Sequence, residues 1–495
     1  MGWGVFARGA MLLAFVGAPQ VALAQSAHVG GYFRVMARPD LQGGGGQLGY
    51  WNLHGRLLNE TSYAMLDFRF DVLEPQPGVQ STWTSLHARI EGGAVGNAEP
   101  SNGALGNLRM SQVYMRAGNV GLQDVVWQIG TLEYFFGDLG LYDMRPATVF
   151  FNTVGVSARY QPDWGELQVG FGDSGFAMLR DGYNTVLTPG ATARVRLGKH
   201  AEIGVGGEAF IEPTVAGNRN GAYQTPDVGY EDYVRGEVAE SYLQEFPDLA
   251  DFFPDPQPRD AASWNVVGYL GFGNAGPLIW NALYWNHRKV HPDRKVTEDL
   301  AGEPVDIYVH DFTDERFEFN LGNEMQLRLV PDYLDAAWGT FYGNHWDRDN
   351  QIQPSDRDRR VASTVLRLQA YITPTIHFLV ENSLASEWSR NGNAYREHAD
   401  SIFANTEGRP DVRGLESGDS DVRKTWQGKA GVVLNPTGRG IYARPSLRLL
   451  YGIQKSNQNN AFGNAFVESI DQYNDFDNVE QHTHHVVAAE AEVWF

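Results

Sequence analysis

Apolar and polar side chains alternate along this chain with a period of two, in segments of roughly 9 to 14 residues separated by Gly, Asn, Asp and Pro clusters. Ala64, Leu66, Phe68, Phe70 and Val72 form one row, opposite Tyr63, Met65, Asp67, Arg69 and Asp71. Phe317, Phe319, Leu321, Met325, Leu327 and Leu329 oppose Arg316, Glu318, Asn320, Glu324, Gln326 and Arg328. Ala443, Pro445, Leu447, Leu449 and Tyr451 oppose Tyr442, Arg444, Ser446 and Arg448. At the carboxy-terminus Val487, Ala489, Ala491, Val493 and Phe495 share a face, against His484, Glu490, Glu492 and Trp494. Successive strand side chains point to opposite sides, so each segment predicts a strand with one apolar and one wet face. Eighteen such segments lie at 28–37, 61–73, 81–92, 109–118, 124–132, 153–161, 165–173, 191–198, 200–211, 263–273, 277–288, 316–329, 335–346, 361–371, 375–386, 423–434, 441–454 and 483–495.

A soluble sandwich alternates in the same way with its apolar row inward. Length favours a membrane, since about 9 to 11 tilted residues cross a bilayer whereas globular strands average about 5 or 6. The connections also alternate. Gly198-Lys199 and Tyr371-Ile372-Thr373-Pro374 are tight, while Arg89 to Arg109, Glu212 to Trp264, Arg288 to Arg316 and Glu387 to Arg423 are long. Short turns on one rim and long loops on the other, with an even strand count that lets first and last strands pair, predict an all-β transmembrane antiparallel barrel.

The amino-terminus fits that compartment. Arg8 precedes an apolar stretch from Ala10 to Val16, and Ala22-Leu23-Ala24 is a small-x-small pattern, so residues 1–24 read as a signal peptide cleaved before Gln25. Residues 25–495 then form a single barrel domain, expected in the outer membrane of a Gram-negative cell. Mean hydropathy of −0.36 does not oppose this, because lumen residues cancel lipid-facing ones in a window average. A net charge of −21 argues against nucleic acid as a partner, and the absence of cysteine excludes disulfides and thiolate chemistry. The connection 212–263 is unusually long and acidic, read as a solvated surface loop.

Bond chemistry finds little support. No Gly-x-Ser-x-Gly elbow, phosphate loop or His-Glu-x-x-His is present, and no catalytic residue or cofactor is assigned. His482-Thr483-His484-His485 has no carboxylate or cysteine at ligand spacing and reads as an interfacial histidine cluster rather than a metal site. The wet face does carry Tyr32, Tyr63, Tyr371, Tyr442 and Trp494. Flat aromatic faces in a water-filled lumen suit the C–H faces of sugar rings, with Arg, Asp and Glu serving the hydroxyls; the same side chains could simply narrow the lumen.

With these residues in view, the chain resembles the maltoporin family of sugar-specific outer-membrane porins. His28-Val29-Gly30-Gly31-Tyr32-Phe33-Arg34 matches its opening Gly-Tyr-x-Arg, and Arg56-Leu57-Leu58-Asn59-Glu60 resembles its Arg-Leu-Gly-Asn-Glu. Trp127 to Phe151 resembles the segment leading into an inward-folded constriction loop. Ile441-Tyr442-Ala443-Arg444-Pro445-Ser446-Leu447-Arg448 and Glu492-Val493-Trp494-Phe495 are similar to the family's last two strands. The resemblance implies a homotrimer of 18-stranded barrels in outer-membrane lipid, carrying malto-oligosaccharide-like sugars along an aromatic slide and an ionic track. Tyr32, Tyr63 and Trp494 would be slide positions, with Tyr371 a substitute for a missing tryptophan beside Ile372. Arg34, Arg56, Asp138 and Asp143 would form the track, with Arg145 near the constriction. Gly92 to Asn107 lacks the family's tryptophan, and Met65 and Phe136 replace an expected glutamate and arginine, so a general or ion-selective diffusion porin is the alternative.

Overall fold

A computed structural model describes residues 26–39, 48, 52–60, 62–74, 81–92, 109–174, 185–212, 223–224, 261–290, 293–300, 303–310, 316–347, 358–403, 420–458 and 481–495. The signal segment and nearly all of 212–263 lie outside them. Eighteen antiparallel strands make the wall: β1 Ser26–Ala37, β2 Tyr63–Leu73, β3 Trp83–Gly92, β4 Arg109–Gly118, β5 Val125–Thr131, β6 Val154–Tyr160, β7 Gly165–Asp173, β8 Leu187–Leu197 and β9 Ala201–Glu212 form the first half. The second half is β10 Ala261–Ala275, β11 Leu278–Val290, β12 Arg316–Val330, β13 Leu334–Asp347, β14 Arg359–Tyr371, β15 Ile376–Ser389, β16 Arg423–Leu434, β17 Ser446–Ser456 and β18 Thr483–Trp494. Each strand pairs with its sequence neighbours. The sheet closes where Tyr32 meets Trp494, Arg34 meets Glu492 and Ala37 meets Ala489. Closure leaves no edge, as lipid requires of any spanning sheet.

The alternation resolves as expected. Leu366, Leu384, Leu447, Leu449 and Val169 point outward and are exposed, whereas Glu381, Gln427, Gln454 and Glu492 point inward and are buried. Among the described residues no helix is long and apolar enough to cross a membrane. Tight turns follow local chemistry: Gly198, at φ +66°, turns β8 into β9 in the left-handed region that glycine adopts without steric cost. A hairpin of 293–300 with 303–310 stands in the β11–β12 connection, and helix α1 (Arg390–Phe403) follows β15, its first turn capped by Ser389 Oγ accepting from Gly392 N at 3.2 Å.

One boundary is corrected. The expected strand 441–454 begins only at Ser446. Alternation does continue upstream of it, but residues 435–445 bend into the barrel, so Ala443 and Pro445 do not belong to the lipid-facing row, and Tyr442 and Arg444 reach the interior from a turn.

Three chain segments fill the lumen: residues 52–60 after β1, residues 132–153 between β5 and β6, and the turn 435–445. Leu139, Leu141 and Tyr142 pack on the inner faces of β10–β14 with Tyr269, Tyr284, Phe341 and Val365. Leu57 and Leu58 pack on Leu379, Val433, Leu450 and Val486. The wall makes room with glycines facing inward, since a β-carbon on Gly339 would lie 2.7 Å from the Tyr142 ring.

The lipid-facing wall yields a depth-dependent prediction. Leu366→Arg, at the middle of β14, should destabilise the barrel by about 2–4 kcal/mol, while Ile372→Arg in the rim turn should cost about 0–1 kcal/mol. Denaturant unfolding of the vesicle-inserted barrel measures both.

Candidate functional site

The inward segments meet at a charged cluster below the β1–β18 seam. Glu492 is its centre. Its Oε1 accepts from Tyr32 Oη at 2.8 Å and Arg56 Nη2 at 2.5 Å, and its Oε2 accepts from Arg448 Nη2 at 2.5 Å and lies 2.8 Å from Arg444 Nε. Tyr32, Arg56, Arg448 and Glu492 are buried and the Arg444 side chain is nearly so, and the three cations arrive from three elements: Arg56 from the first inward segment, Arg444 from the turn, Arg448 from β17. A carboxylate removed from water is tolerable only with such a full set of partners. Beside it Arg34 pairs with Glu60 and, at 3.3 Å, with Asp143, while Arg56 lies 3.4 Å from Glu60.

The remaining bonds lock the segments to the wall and to each other. Arg56 N donates to Leu141 O at 2.8 Å, joining the first segment to the second. Glu324 of β12 accepts from Leu141 N at 2.8 Å and from Tyr442 Oη at 2.6 Å, joining the second segment to the turn. Lys429 Nζ donates to His54 O and to Glu381, each at 2.8 Å, and Arg367 reaches the same Glu381 at 2.6 Å.

Two aromatic groups result. Tyr63, Tyr32 and Trp494 form a file down the seam, with ring centroids 5.9 Å and 4.8 Å apart. Trp494 is 56% exposed, Tyr63 is half-buried with its hydroxyl donating to Glu91 at 2.6 Å, and Tyr32 is buried with its hydroxyl on Glu492. The second group, Tyr134, Phe136, Tyr269 and Tyr284, is buried and holds the long inward segment against β10 and β11, with the Arg194 guanidinium over three of its rings.

Sequence-expected site residues therefore separate into three sets. Tyr32, Tyr63, Trp494, Arg34, Arg56 and Asp143 come together. Asp138 and Arg145 are exposed on the free side of the inward segment, as is Asp143 of the first set, Arg145 lying over the Phe135 ring at 4.2 Å and 3.7 Å from Glu133. Tyr371 stands apart on the inner face of β14, buried, donating to Asp335 at 2.5 Å and packed edge-on to His377 at 4.7 Å. Glu490 and Glu492, on the wet face of the last predicted segment, are buried anchors; Glu490 accepts from Leu58 N at 3.1 Å. Glu60, Glu324 and Arg444 had no individual signal as anchors, because their partners come from segments far apart in sequence. In the histidine tract, His484 points inward and His485 outward onto Tyr451, so strand alternation separates their rings.

Solved structures similar to this chain include an outer-membrane protein of Vibrio cholerae, a Pseudomonas aeruginosa protein and a Salmonella typhi protein. In vitro-folded OmpT of Vibrio cholerae is 10% identical over 96% of this chain and 99% of that one, with a TM-score of 0.39. Pseudomonas aeruginosa OccK3 is 10% identical over 96% and 97%, with a TM-score of 0.38. Salmonella typhi OmpF in complex with daunomycin is 7% identical over 95% and 97%, with a TM-score of 0.41. No protein-family model and no curated protein matches the chain. The closed wall, its apolar exterior and its filled interior decide the class on their own. This is an outer-membrane β-barrel of porin-like architecture. The inward segment 132–153 brings exposed charged groups, Asp138, Asp143 and Arg145, into the lumen.

Protonation tunes that charge. Burial, together with the neighbouring Asp143, pushes Glu60 up to about 8 despite Arg56 and Arg34. Burial would also raise Asp143, but Arg56, a hydrogen bond with Glu60 and Arg34 outweigh it and hold Asp143 below the ordinary aspartate value. Burial and mutual repulsion thus let the pair hold one proton above the ordinary carboxylate range. Raising the pH through about 8 adds a second negative charge, so cation preference, read from the reversal potential, should increase across that interval, and Glu60→Gln should abolish the step. The sign for stability follows: the folded barrel binds a proton on Glu60 that the unfolded chain releases, so this contribution declines as pH rises from 4.5 to about 8. The Asp143 contribution has the opposite sense and is lost as pH falls below the ordinary aspartate value.

Proposed function

We propose that the chain is a passive channel that carries polar solutes across the outer membrane, and that carbohydrates, malto-oligosaccharide-like in kind, are the class its lumen fits best. The observation that carries this reading is the juxtaposition of the Tyr63–Tyr32–Trp494 file with charged groups of both signs, Asp143 lying 3.3 Å from Arg34 beside the same rings. A sugar ring lays its C–H face on an aromatic face and exchanges hydroxyl hydrogen bonds with water for bonds to Asp138, Asp143 and Arg145. Each transfer replaces hydration with equivalent contacts, so binding stays weak enough for flux. Arg34 and Arg56 act differently from Asp143. Committed to Glu60, Asp143 and Glu492, they position the track, and Trp494 offers the most accessible ring.

Assembly as a homotrimer in the membrane belongs to the same proposal and rests on the family resemblance. The burial of Tyr32 and the separate position of Tyr371 favour a second reading, a general diffusion porin without a sugar site.

Single-channel conductance in planar bilayers separates them. A sugar channel should show saturable block by malto-oligosaccharide, with Trp494→Ala and Tyr63→Ala each weakening it by roughly threefold to tenfold. Current unaffected by any oligosaccharide would leave the general porin.

A further inference from the structure

The outer wall carries a recess of ≈ 660 Å³ across β14 to β17. Its outward lining is mostly apolar, with Ala362, Thr364, Leu384 and Trp426. Cross-strand pairing sets these residues in one outward row: Thr364 opposite Leu384, Leu384 opposite Trp426, and Trp426 opposite Lys455. Lys424, two residues before Trp426, stands in the next row towards the rim that bears the long connections, which is the outer rim of such a barrel. Two ammonium groups thus sit at the rim end of an apolar trough, in a chain whose net charge is −21.

Neither lysine forms an ion pair among the described residues, and the nearby Glu387 points inward onto Arg423 at 2.8 Å. We propose that this recess binds an anionic acylated lipid of the outer leaflet, with the headgroup phosphate between Lys424 and Lys455 and an acyl chain lying along Ala362, Thr364, Leu384 and Trp426. Cations on a lipid-facing wall cost little near the interface and attract anionic headgroups there. Trp426 fits the interfacial level, where its apolar ring and N–H meet chain and headgroup. A second copy of the chain is the poorer occupant. The outward rows of β1–β6 and β11–β18 contain no aspartate or glutamate, so those walls could not neutralise the two lysines. The proposal is independent of the solute carried.

The test uses the full folded barrel in detergent and bis-phosphorylated lipid A as probe, with phosphatidylcholine as the neutral control and native mass spectrometry as readout. Retention of lipid A in preference to phosphatidylcholine is expected, with affinity falling on the order of tenfold in K424Q/K455Q, a surface variant that leaves the barrel closed. Equal retention of lipid A by parent and variant, or equal retention of both lipids by the parent, would overturn it. Because the chain has no cysteine, Leu384→Cys adds a second arm. A disulfide-linked oligomer formed in the membrane would place another copy on the recess and exclude the lipid; a thiol that stays monomeric agrees with lipid occupancy.

Discussion

Closure of the sheet is the constraint on which the rest depends. In hydrocarbon no water satisfies a free backbone N–H or C=O, so the first and last strands must find each other across the whole length of the chain. They do so through a short register, Tyr32 to Ala37 against Trp494 to Ala489, and the terminal Phe495 adds reciprocal bonds with Gly31, at 3.0 and 3.1 Å. The candidate site lies on this seam. Tyr32, Arg34, Glu492 and Trp494 are neighbours only because the barrel closes there, so the step that completes the wall also assembles the site.

The lumen has the opposite problem. Eighteen strands enclose more space than side chains on the wall can fill, and an empty interior would leave its charges either hydrated or unpaired. Three segments fold inward and resolve this by different means. On the β10–β14 side, apolar side chains of 132–153 meet a wall thinned by glycines and lined with Tyr and Val. On the β15–β18 side and at the seam, buried carboxylates bind cations from two or three elements at once, as Glu381 and Glu492 do. Buried ion pairs are weak evidence for stability, because desolvation offsets attraction. They are strong determinants of position, since moving any segment would strand a charge. The exposed Asp138, Asp143 and Arg145 are held in place by this buried scaffold.

Much of this was legible in the chain. Period-two alternation located the eighteen strands of the wall, usually within a few residues, and assigned the faces of β2, β12 and β18 because lipid and water impose opposite demands on adjacent residues. It could not place 435–445. Alternation persists there, and only the contacts of Tyr442 with Glu324 and of Arg444 with Glu492 reveal that the backbone has left the wall. The Tyr63–Tyr32–Trp494 file was readable as wet-face aromatics, whereas the isolation of Tyr371 was not, because its neighbours depend on the position of β14 around the barrel.

The sequence by itself determined the wall: which segments cross, which residues face lipid, and that first and last strands must pair. Those are local demands, written residue by residue in polarity. Tertiary structure decided which inward residues touch solvent and which are consumed as anchors. That choice depends on which distant segments share the lumen, and burial of Glu492 beneath Arg56, Arg444 and Arg448, with Trp494 left 56% exposed two residues away, is its clearest outcome.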